Sequence, residues 1–330
     1  MKEPNAMSFH VKYKPEDFMP ANEEEKQSQV IMRESVGFWQ DGFRRLRKNK
    51  VAMVSLFVII VVMIFSFIVP AFYPYDYKTQ IKGSENLHPM QYSEKEIERM
   101  DAGEKVFPHV LGTDKMGRDY AIRVMMGSRI SLLVGLIATA IIFVIGSLIG
   151  SISAFFGGWV DLIIMRIVDI ISTIPLTLYV ILIMQVLGAG IQSIIVALGS
   201  VYWVDMARVV RGQILSLKQQ EFVLAAKTIG SSATTILFDH LIPNALGSIL
   251  VTITMLIPSA IFMEAFLGYL GIGLQPPLAS LGTMCNDASA NLRTSPHELL
   301  IPALMICVIM FAFNFVGDGL RDALDPKLKK

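Results

Sequence analysis

Long apolar segments free of Asp, Glu, Lys and Arg alternate with shorter charged segments along most of the chain. A helix needs about 20 apolar residues to cross roughly 30 Å of hydrocarbon, and residues 51–75 contain such a run, VAMVSLFVIIVVMIFSFIV. Four more segments with at most one charge follow at 130–160, 170–204, 241–286 and 299–317. The pattern predicts an all-α membrane protein.

Breaks within these segments set the number of predicted transmembrane helices at six. Gly188 and Gly190 interrupt the third segment, so residues 165–208 are predicted to form two helices joined by a tight turn. The second segment is longer than one span needs, which predicts a tilted helix or an interfacial extension. We predict a cytoplasmic tail at 1–49, a first span at 50–72, an extracytoplasmic segment at 73–129 and a five-helix core at 130–330.

Charges that flank the first span predict its orientation. FRRLRKNK precedes it, and basic residues next to a span favour the cytoplasmic side. Fifty mostly polar residues lie before the apolar run and no small-residue cleavage site follows, which indicates an uncleaved signal anchor. Six spans return the C-terminus, with its KLKK, to the cytoplasm. We therefore expect a multi-pass protein of the cell membrane with both termini inside.

Composition agrees with a protein that is largely covered by the lipid bilayer. Of 330 residues, 53% are hydrophobic and 17% are charged, whereas soluble domains are about one quarter charged. The formal net charge of +1 provides no basic excess for binding nucleic acid. Cys285 and Cys307 match neither a disulfide framework nor a metal-ligand spacing, and we expect no metal site.

Ionisable residues at the ends of the third and fourth spans are candidates for a gate or a structural role. Arg166 and Asp169 begin the third span, while Asp205 and Arg208 end the fourth. Because the two helices form an antiparallel hairpin, Arg166 should face Asp205 and help to close this end. The same geometry places Asp169 opposite Arg208. The alternative is that each long side chain snorkels to the interface separately.

Glu264 is the single charge in its apolar segment and has two possible roles. A carboxylate at that depth is costly, which favours a place on a pathway or in a gate. The alternative is a structural carboxylate that caps or hydrogen-bonds the irregular GYLGIGLQPP that follows.

Residues 109–132, HVLGTDKMGRDYAIRVMMGSRISL, are dense in glycine and in alternating charge. The glycines suit turns or close backbone contacts. The charged residues that could form a bridged network are Asp114, Arg118, Asp119, Arg123 and Arg129. We expect an ordered polar collar before the second span, for which a binding role and a structural role are both open. Its signature residues are Gly112, Thr113, Asp114, Gly117, Arg118 and Asp119.

Residues 216–245 connect the fourth and fifth spans and contain two short helical patterns with a break between them. Gly230 suits the left-handed residue that ends the first helix, and Ser231 or the serine after it suits the N-cap of the second. We expect such a helix-turn-helix to expose the small residues Ala225 and Ala226 and to dock into a groove on another protein. An amphipathic element without a partner explains the same pattern.

Four motifs resemble those of ABC importer permeases and occur in that family's order. Ala225-Ala226-x-x-x-Gly230 followed by HLIPN at 240–244 resembles the EAA loop, with Leu224 where the general motif has Glu. LGTDKMGRDYAIRVMMGSRISLLVGL, EAFLGYLGIGLQPPLASLGTM and GDGLRDALDP resemble segments of the C-type dipeptide and oligopeptide permeases. The resemblance covers all but the first 37 residues and implies the type I ABC importer permease fold.

By resemblance, the loop forms a coupling helix that sits in a cleft of a cytoplasmic ATPase. No GxxxxGK[ST] occurs in the sequence, so this chain cannot cradle ATP phosphates itself and we expect it to be no enzyme and to bind no cofactor. The resemblance implies two ATPase partners that use ATP and Mg, a second, B-type permease, an extracytoplasmic solute-binding protein and a peptide substrate. The residues implied in coupling are Glu221, Ala225, Ala226, Gly230, Ser231, His240, Pro243 and Asn244.

Rival functions find little support in the sequence, except for the choice of solute. A secondary transporter would usually show inverted repeats and midplane ion-coupling residues, and we find no half-to-half repeat. HExxH, GxSxG and CxxC, which would favour a membrane enzyme, are absent. Only the coupling motif argues against a structural scaffold. Relatives with similar permeases carry nickel or glutathione, so these solutes stay open beside peptides.

Overall fold

The computed structural model describes residues 38–324, and every regular element in that range is helical. Most of the predicted tail and the basic KLKK lie outside the described residues. One 3₁₀ turn, Val69–Ala71, and one π-helical turn, Ile236–Leu241, accompany twelve α-helices. In chain order these are α1 Phe38–Lys48, α2 Lys50–Phe67, α3 Glu94–Asp101, α4 Tyr120–Phe156, α5 Gly158–Ser172, α6 Leu176–Leu187, α7 Ile191–Leu217, α8 Glu221–Thr228, α9 Ala233–Thr235, α10 Ile242–Tyr269, α11 Leu281–Ser289 and α12 Pro296–Leu324.

Five helical segments in the described range are long and apolar enough to cross a membrane, and a bent pair brings the number to six. The pair is α5 and α6, which meet at 87° across a break of three residues, 173–175. The number of spans agrees with the predicted six if the bent pair is one span, but the sequence analysis did not predict this second break within residues 165–208. Pro175 accounts for the break, because its ring removes a backbone donor and disfavours helical geometry in the residue before it. The predicted turn at 188–190 is confirmed between α6 and α7.

The longest helix, α4, contains 37 residues and begins inside the predicted extracytoplasmic segment. Asp119 is its N-cap, and the Asp119 carboxylate accepts a hydrogen bond of 3.0 Å from the backbone N–H of Ile122. Because hydropathy marks only the uncharged part of a helix, the pattern could not show that residues 120–129 continue the same helix. The signature is thus attached directly to a span.

Glycines bring α4 and α7 into backbone contact. A Cβ atom on Gly150 would collide with the carbonyl oxygen of Ala207, and one on Gly199 would lie 2.9 Å from Cγ2 of Ile141. The contacts advance in the same direction along both helices, so α4 and α7 run parallel. The small residues at 146–150 therefore form a packing ridge within this subunit, in the manner of other membrane helices.

The other spans surround this pair within one compact unit that begins at Gly42. α10 lies antiparallel to α4, where Gly135 leaves room for Ile261. α12 packs on α2, where Gly319 faces Ala52. We call the end where α4 begins the signature end, and the end where α4 finishes and α7 leads into α8 the loop end.

Large apolar side chains remain exposed on the spans. Phe57 of α2 is 65% exposed, Trp159 of α5 is 80% exposed and Val186 of α6 is 82% exposed. Extensive apolar exposure is unfavourable in water and marks faces that meet lipid or another membrane subunit.

Candidate functional site

The segment between α7 and α10 forms the first candidate site, and its local geometry follows from two residues. Gly230 ends α8 with φ +83°, a left-handed conformation in which glycine carries no steric penalty. Ser232 then caps α9, since its Oγ accepts a hydrogen bond of 3.1 Å from the backbone N–H of Thr235. The predicted break is confirmed, and of the two serines considered for the cap it is Ser232, not Ser231, that forms it.

α8 has a buried face and an exposed face. Val223 is fully buried and Ala226 is 6% exposed, and both belong to a core shared with α4, α7 and α10. The expected exposure of Ala226 is wrong, because a spacing of three residues places it on the same side as Val223. The outward face consists of Phe222, which is 40% exposed, Ile229, which is 82% exposed, and the exposed Ala225. The loop therefore presents an apolar surface while its inner side is anchored in the spans.

The remaining predicted coupling residues lie at the start of α8 or after it in the chain. Glu221 is exposed in its first turn, and Ser231 is half-buried in the break. The amide of Asn244 donates a hydrogen bond of 2.6 Å to the backbone carbonyl of His240. Pro243 lies exposed at the second position of α10, directly after the π-helical turn Ile236–Leu241.

The four charges at the ends of the third and fourth spans form one cross-helix contact. Arg208 of α7 lies 3.2 Å from Asp169 of α5 and 3.2 Å from Asp205 on its own helix. The predicted Arg166–Asp205 pair is wrong: Arg166 lies 3.9 Å from Asp169, which is its neighbour one turn along α5. All four side chains are at least 39% exposed, so these contacts contribute little to stability.

The signature at 112–119 is built on two tight turns. Gly112 has φ +79° and Gly117 has φ +68°. A Cβ atom on Gly112 would collide with the carbonyl oxygen of Leu87, and one on Gly117 would collide with that of Ile81. Thr113 reinforces the contact, because its Oγ1 accepts a hydrogen bond of 2.9 Å from the Leu87 N–H. Glycine is therefore required at both positions, because the neighbouring backbone leaves no room for a Cβ atom.

An ion-pair network, buried except at Asp287, joins the signature to α4 and α11. The Asp114 carboxylate lies 2.7 Å from the Arg118 guanidinium and also contacts Arg123. Arg123 in turn lies 3.7 Å from Asp287 of α11. Of the predicted members, Asp114, Arg118 and Arg123 are bridged, whereas Arg129 donates hydrogen bonds of 2.9 Å to the backbone carbonyls of Ser66 and Phe67. The charges of the network therefore hold the collar together.

His109 lies at the centre of this collar, and the sequence analysis did not identify it. Its Nδ1 is 2.8 Å from Asp119 and its Nε2 is 3.0 Å from Glu96, and the ring is fully buried. Burial lowers the pKa of His109, but its hydrogen bonds and the charges of both carboxylates outweigh that effect and raise it. Glu96 also completes a capping box with Ser93 at the start of α3, and the spacing Ser-x-x-Glu was the available signal.

Glu264 is fully buried where α4, α10 and α11 meet. The hydroxyl of Ser131 donates a hydrogen bond of 2.7 Å to one carboxylate oxygen of Glu264 and accepts one of 3.3 Å from the backbone N–H of Leu281. The other oxygen, Oε1, has no partner among the described residues. A carboxylate beside the first turn of α11 also faces the positive end of a helix dipole. These contacts favour the structural alternative for Glu264.

Two family descriptions match this chain. Residues 143–330 match the family described as binding-protein-dependent transport system inner membrane component. Residues 37–89 match the N-terminal TM domain of oligopeptide transport permease C.

Among residues 38–324, no group of three or more His, Cys, Asp or Glu side chains is arranged to hold a metal ion.

Curated relatives and a solved structure agree with these matches. The chain is 45% identical to the oligopeptide transport system permease protein OppC of Bacillus subtilis (strain 168), over 95% of this chain and 97% of that protein. It is 41% identical to the dipeptide transport system permease protein DppC of the same organism, over 96% and 94%. It is 37% identical to the glutathione transport system permease protein GsiD of Pectobacterium atrosepticum, over 88% and 92%.

The fold is similar to a chain of the inward-facing MetNI methionine ABC transporter, with a TM-score of 0.53 at 19% identity, over 62% of this chain and 96% of that chain. Such a likeness concerns the fold alone, whereas the curated relatives share sequence along nearly the whole chain. The chain therefore belongs to the binding-protein-dependent permeases of ABC importers, multi-pass membrane proteins with the type I permease fold, in their C-type oligopeptide and dipeptide branch.

Proposed function

We propose that this chain is one of two permease subunits of an importer that moves dipeptides or oligopeptides into the cytoplasm. A B-type permease would complete the membrane pathway, two ATPase subunits would hydrolyse Mg-ATP, and an extracytoplasmic binding protein would deliver the solute. The relatives named for oligopeptide and dipeptide transport, at 45% and 41% identity, support this assembly. The loop end would then face the cytoplasm, as FRRLRKNK before the first span also indicates.

The observation that carries the proposal is the two-sided construction of α8. Its outward face, with Phe222, Ala225 and Ile229, is available to a partner, while Val223 and Ala226 anchor it in the core of the spans. A partner that displaces α8 must therefore also displace the ends of α7 and α10. Closing of the ATPases on ATP would move this unit as a rigid body and open the permease interface outward.

Substitution of Ile229 tests the coupling surface. An Ile229→Asp change places a charge in the proposed apolar contact, so co-purification of the ATPase subunits and peptide uptake into proteoliposomes should both fall. Ile97→Asp is the matched control, because Ile97 is an exposed isoleucine of α3, 45% exposed and remote in the chain from the loop. Undiminished ATPase binding by the Ile229 variant would contradict the coupling role of this face.

The solute is tested on the same reconstituted complex. Dipeptides, longer peptides, glutathione and nickel are offered in turn with the binding protein, and stimulation of ATP hydrolysis is measured. Glutathione is the second candidate, because the 37% identical relative is named for its transport. Uptake that follows an ion gradient without ATP would instead indicate a secondary transporter.

A further inference from the structure

Four polar side chains meet at the loop end, where α4 turns into α5. Gly157 and Gly158, with φ of +66° and +53°, form the corner between the two helices. Asp161 follows in the first turn of α5, and the Oγ of Ser153 on α4 donates a hydrogen bond of 2.5 Å to its Oδ1. The corner is therefore closed by a contact between its two arms.

Arg211 of α7 holds the same carboxylate with both arms of its guanidinium. Its Nε lies 2.5 Å from Oδ1 of Asp161 and its terminal nitrogen lies 2.6 Å from Oδ2. The Asp161 side chain is 18% exposed and the Arg211 side chain is 32% exposed. A bidentate, partly buried pair fixes orientation as well as distance. It differs in this respect from the exposed, single-contact pair between Asp169 and Arg208 on the same two helices.

Lys218 adds a second connection from α7 to α4. Its ammonium donates hydrogen bonds of 2.6 Å to the carbonyl of Phe155 and 3.3 Å to that of Ala154. These carbonyls belong to the last turn of α4, where helix geometry leaves acceptors unpaired and a cation is favourable. Lys218 lies three residues before Glu221, the first residue of α8. The cap on α4 is thus attached to the chain that enters the coupling helix.

We propose that Ser153, Asp161, Arg211 and Lys218 form a clasp that makes α4, α5 and the coupling loop move as one body. The inference rests on the proposed function and names positioning residues for it. Without the clasp, a displacement of α8 would still move α7 and α10 through the core around Val223 and Ala226, but α5 could stay behind. With the clasp closed, the same displacement reaches the glycine corner and turns α5 together with α4 and α7.

The packing above the clasp explains why it is needed. α4 and α7 are already held by direct backbone contact at Gly150, but α5 has no comparable glycine contact in the described chain. α5 instead meets α7 through side chains, in a small apolar cluster around Val168 and Trp203. The Asp161–Arg211 pair is the partly buried polar contact between these two helices. Beside the apolar cluster, it is therefore the oriented polar connection through which the bent third span follows the loop.

The test compares transport with ATP hydrolysis in the reconstituted, full complex. Asp161→Asn removes the charge from the pair, and we expect peptide uptake per ATP hydrolysed to fall roughly tenfold while ATP hydrolysis continues. The reciprocal exchange D161R/R211D restores an ion pair and should recover part of the loss. Gln213→Met on α7 is the matched control and should leave the ratio unchanged. A ratio in Asp161→Asn equal to that of the unmodified complex would overturn the proposal.

A second variant decides the outcome if Asp161→Asn fails to assemble. Lys218→Met removes the cap on α4 but keeps the Asp161–Arg211 pair, and uptake per ATP should again fall. A normal ratio in this variant would overturn the clasp, whether or not the first variant assembles. Failure of the unmodified complex to couple peptide uptake to ATP would refute the proposed function itself, so the two failures are distinguishable.

Discussion

Raising the pH through the pKa of His109 should loosen the collar that precedes the second span. Both ring nitrogens of His109 face carboxylate oxygens, those of Asp119 and Glu96, at 2.8 and 3.0 Å. A neutral imidazole has one N–H and would turn a lone pair toward one carboxylate, whereas the imidazolium donates to both. The ring of Tyr75 stacks on that of His109 with 4.5 Å between ring centroids, and the ring of Tyr73 lies 6.2 Å from that of Tyr75.

The direction of the pH effect follows from the raised pKa of His109. The contribution of His109 to stability is complete below its pKa in the unfolded state, about 6.5, and is lost as the pH rises through its pKa in the folded state. The slope of the unfolding free energy against pH cannot exceed about 1.4 kcal/mol per pH unit, because a single proton is involved. Burial, followed by the charges of Glu96 and Asp119, raises the pKa of Tyr75 to about 12, and the pKa of Tyr73 is also raised. Neither tyrosine therefore titrates between pH 6 and 9.

The assay is hydrogen exchange of α3 and of residues 109–119 at several pH values, corrected for the intrinsic exchange rate. Protection should decrease with pH in the unmodified protein. His109→Gln should lose about 3 kcal/mol of local stability, because two charge-assisted hydrogen bonds contribute about 1.5–3 kcal/mol each and glutamine replaces at most part of one. It should also abolish most of the pH dependence. Equal pH dependence in the two proteins would refute the assignment of the titration to His109.

Two further predictions concern helix packing. Gly150→Ala should lower the melting temperature of the detergent-solubilised subunit, since overpacking costs about 1–3 kcal/mol. Gly212→Ala is the control and should not lower it, because a Cβ atom at this position of α7 would meet open space. Equal effects of the two variants would contradict the close contact of α4 and α7. Ser131→Ala removes the hydrogen bond to Glu264 and should reduce the stability of the subunit by about 2 kcal/mol, while peptide uptake per assembled complex should stay normal. Lost uptake at unchanged stability would instead favour a gate at Glu264.

Most of the span architecture could be predicted from the sequence because lipid imposes a simple length and polarity requirement. The same rule cannot detect a bend within a continuous apolar segment, which is why the break before Pro175 was missed although the proline itself was visible. It also cannot decide which way a small residue points. Ala226 is compatible with either face of α8, and only its packing with Val223 in three dimensions places it inside.

Polar contacts were harder to predict than spans, because they depend on distances between elements. The contacts of Asp114 with Arg118 and Arg123 were expected because these residues are close in sequence. His109 and Glu96 are 13 positions apart on elements with no shared periodicity, so no pattern connected them. Arg166 shows the opposite error: a cross-helix partner was expected, but Asp169 lies within reach on the same helix.

The continuity of α4 connects the two candidate sites across the membrane. A helix of 37 residues is about 55 Å long at 1.5 Å per residue, and it begins at the Asp119 cap and ends at the carbonyls held by Lys218. A displacement at the loop end therefore reaches the collar through one helix. The collar contacts of α4 differ in strength: the Ser131–Glu264 bond is buried, whereas Arg123 meets the 49% exposed Asp287 at 3.7 Å. Under the proposed transport cycle, the α4–α11 contact at Asp287 is accordingly where the signature end should separate first.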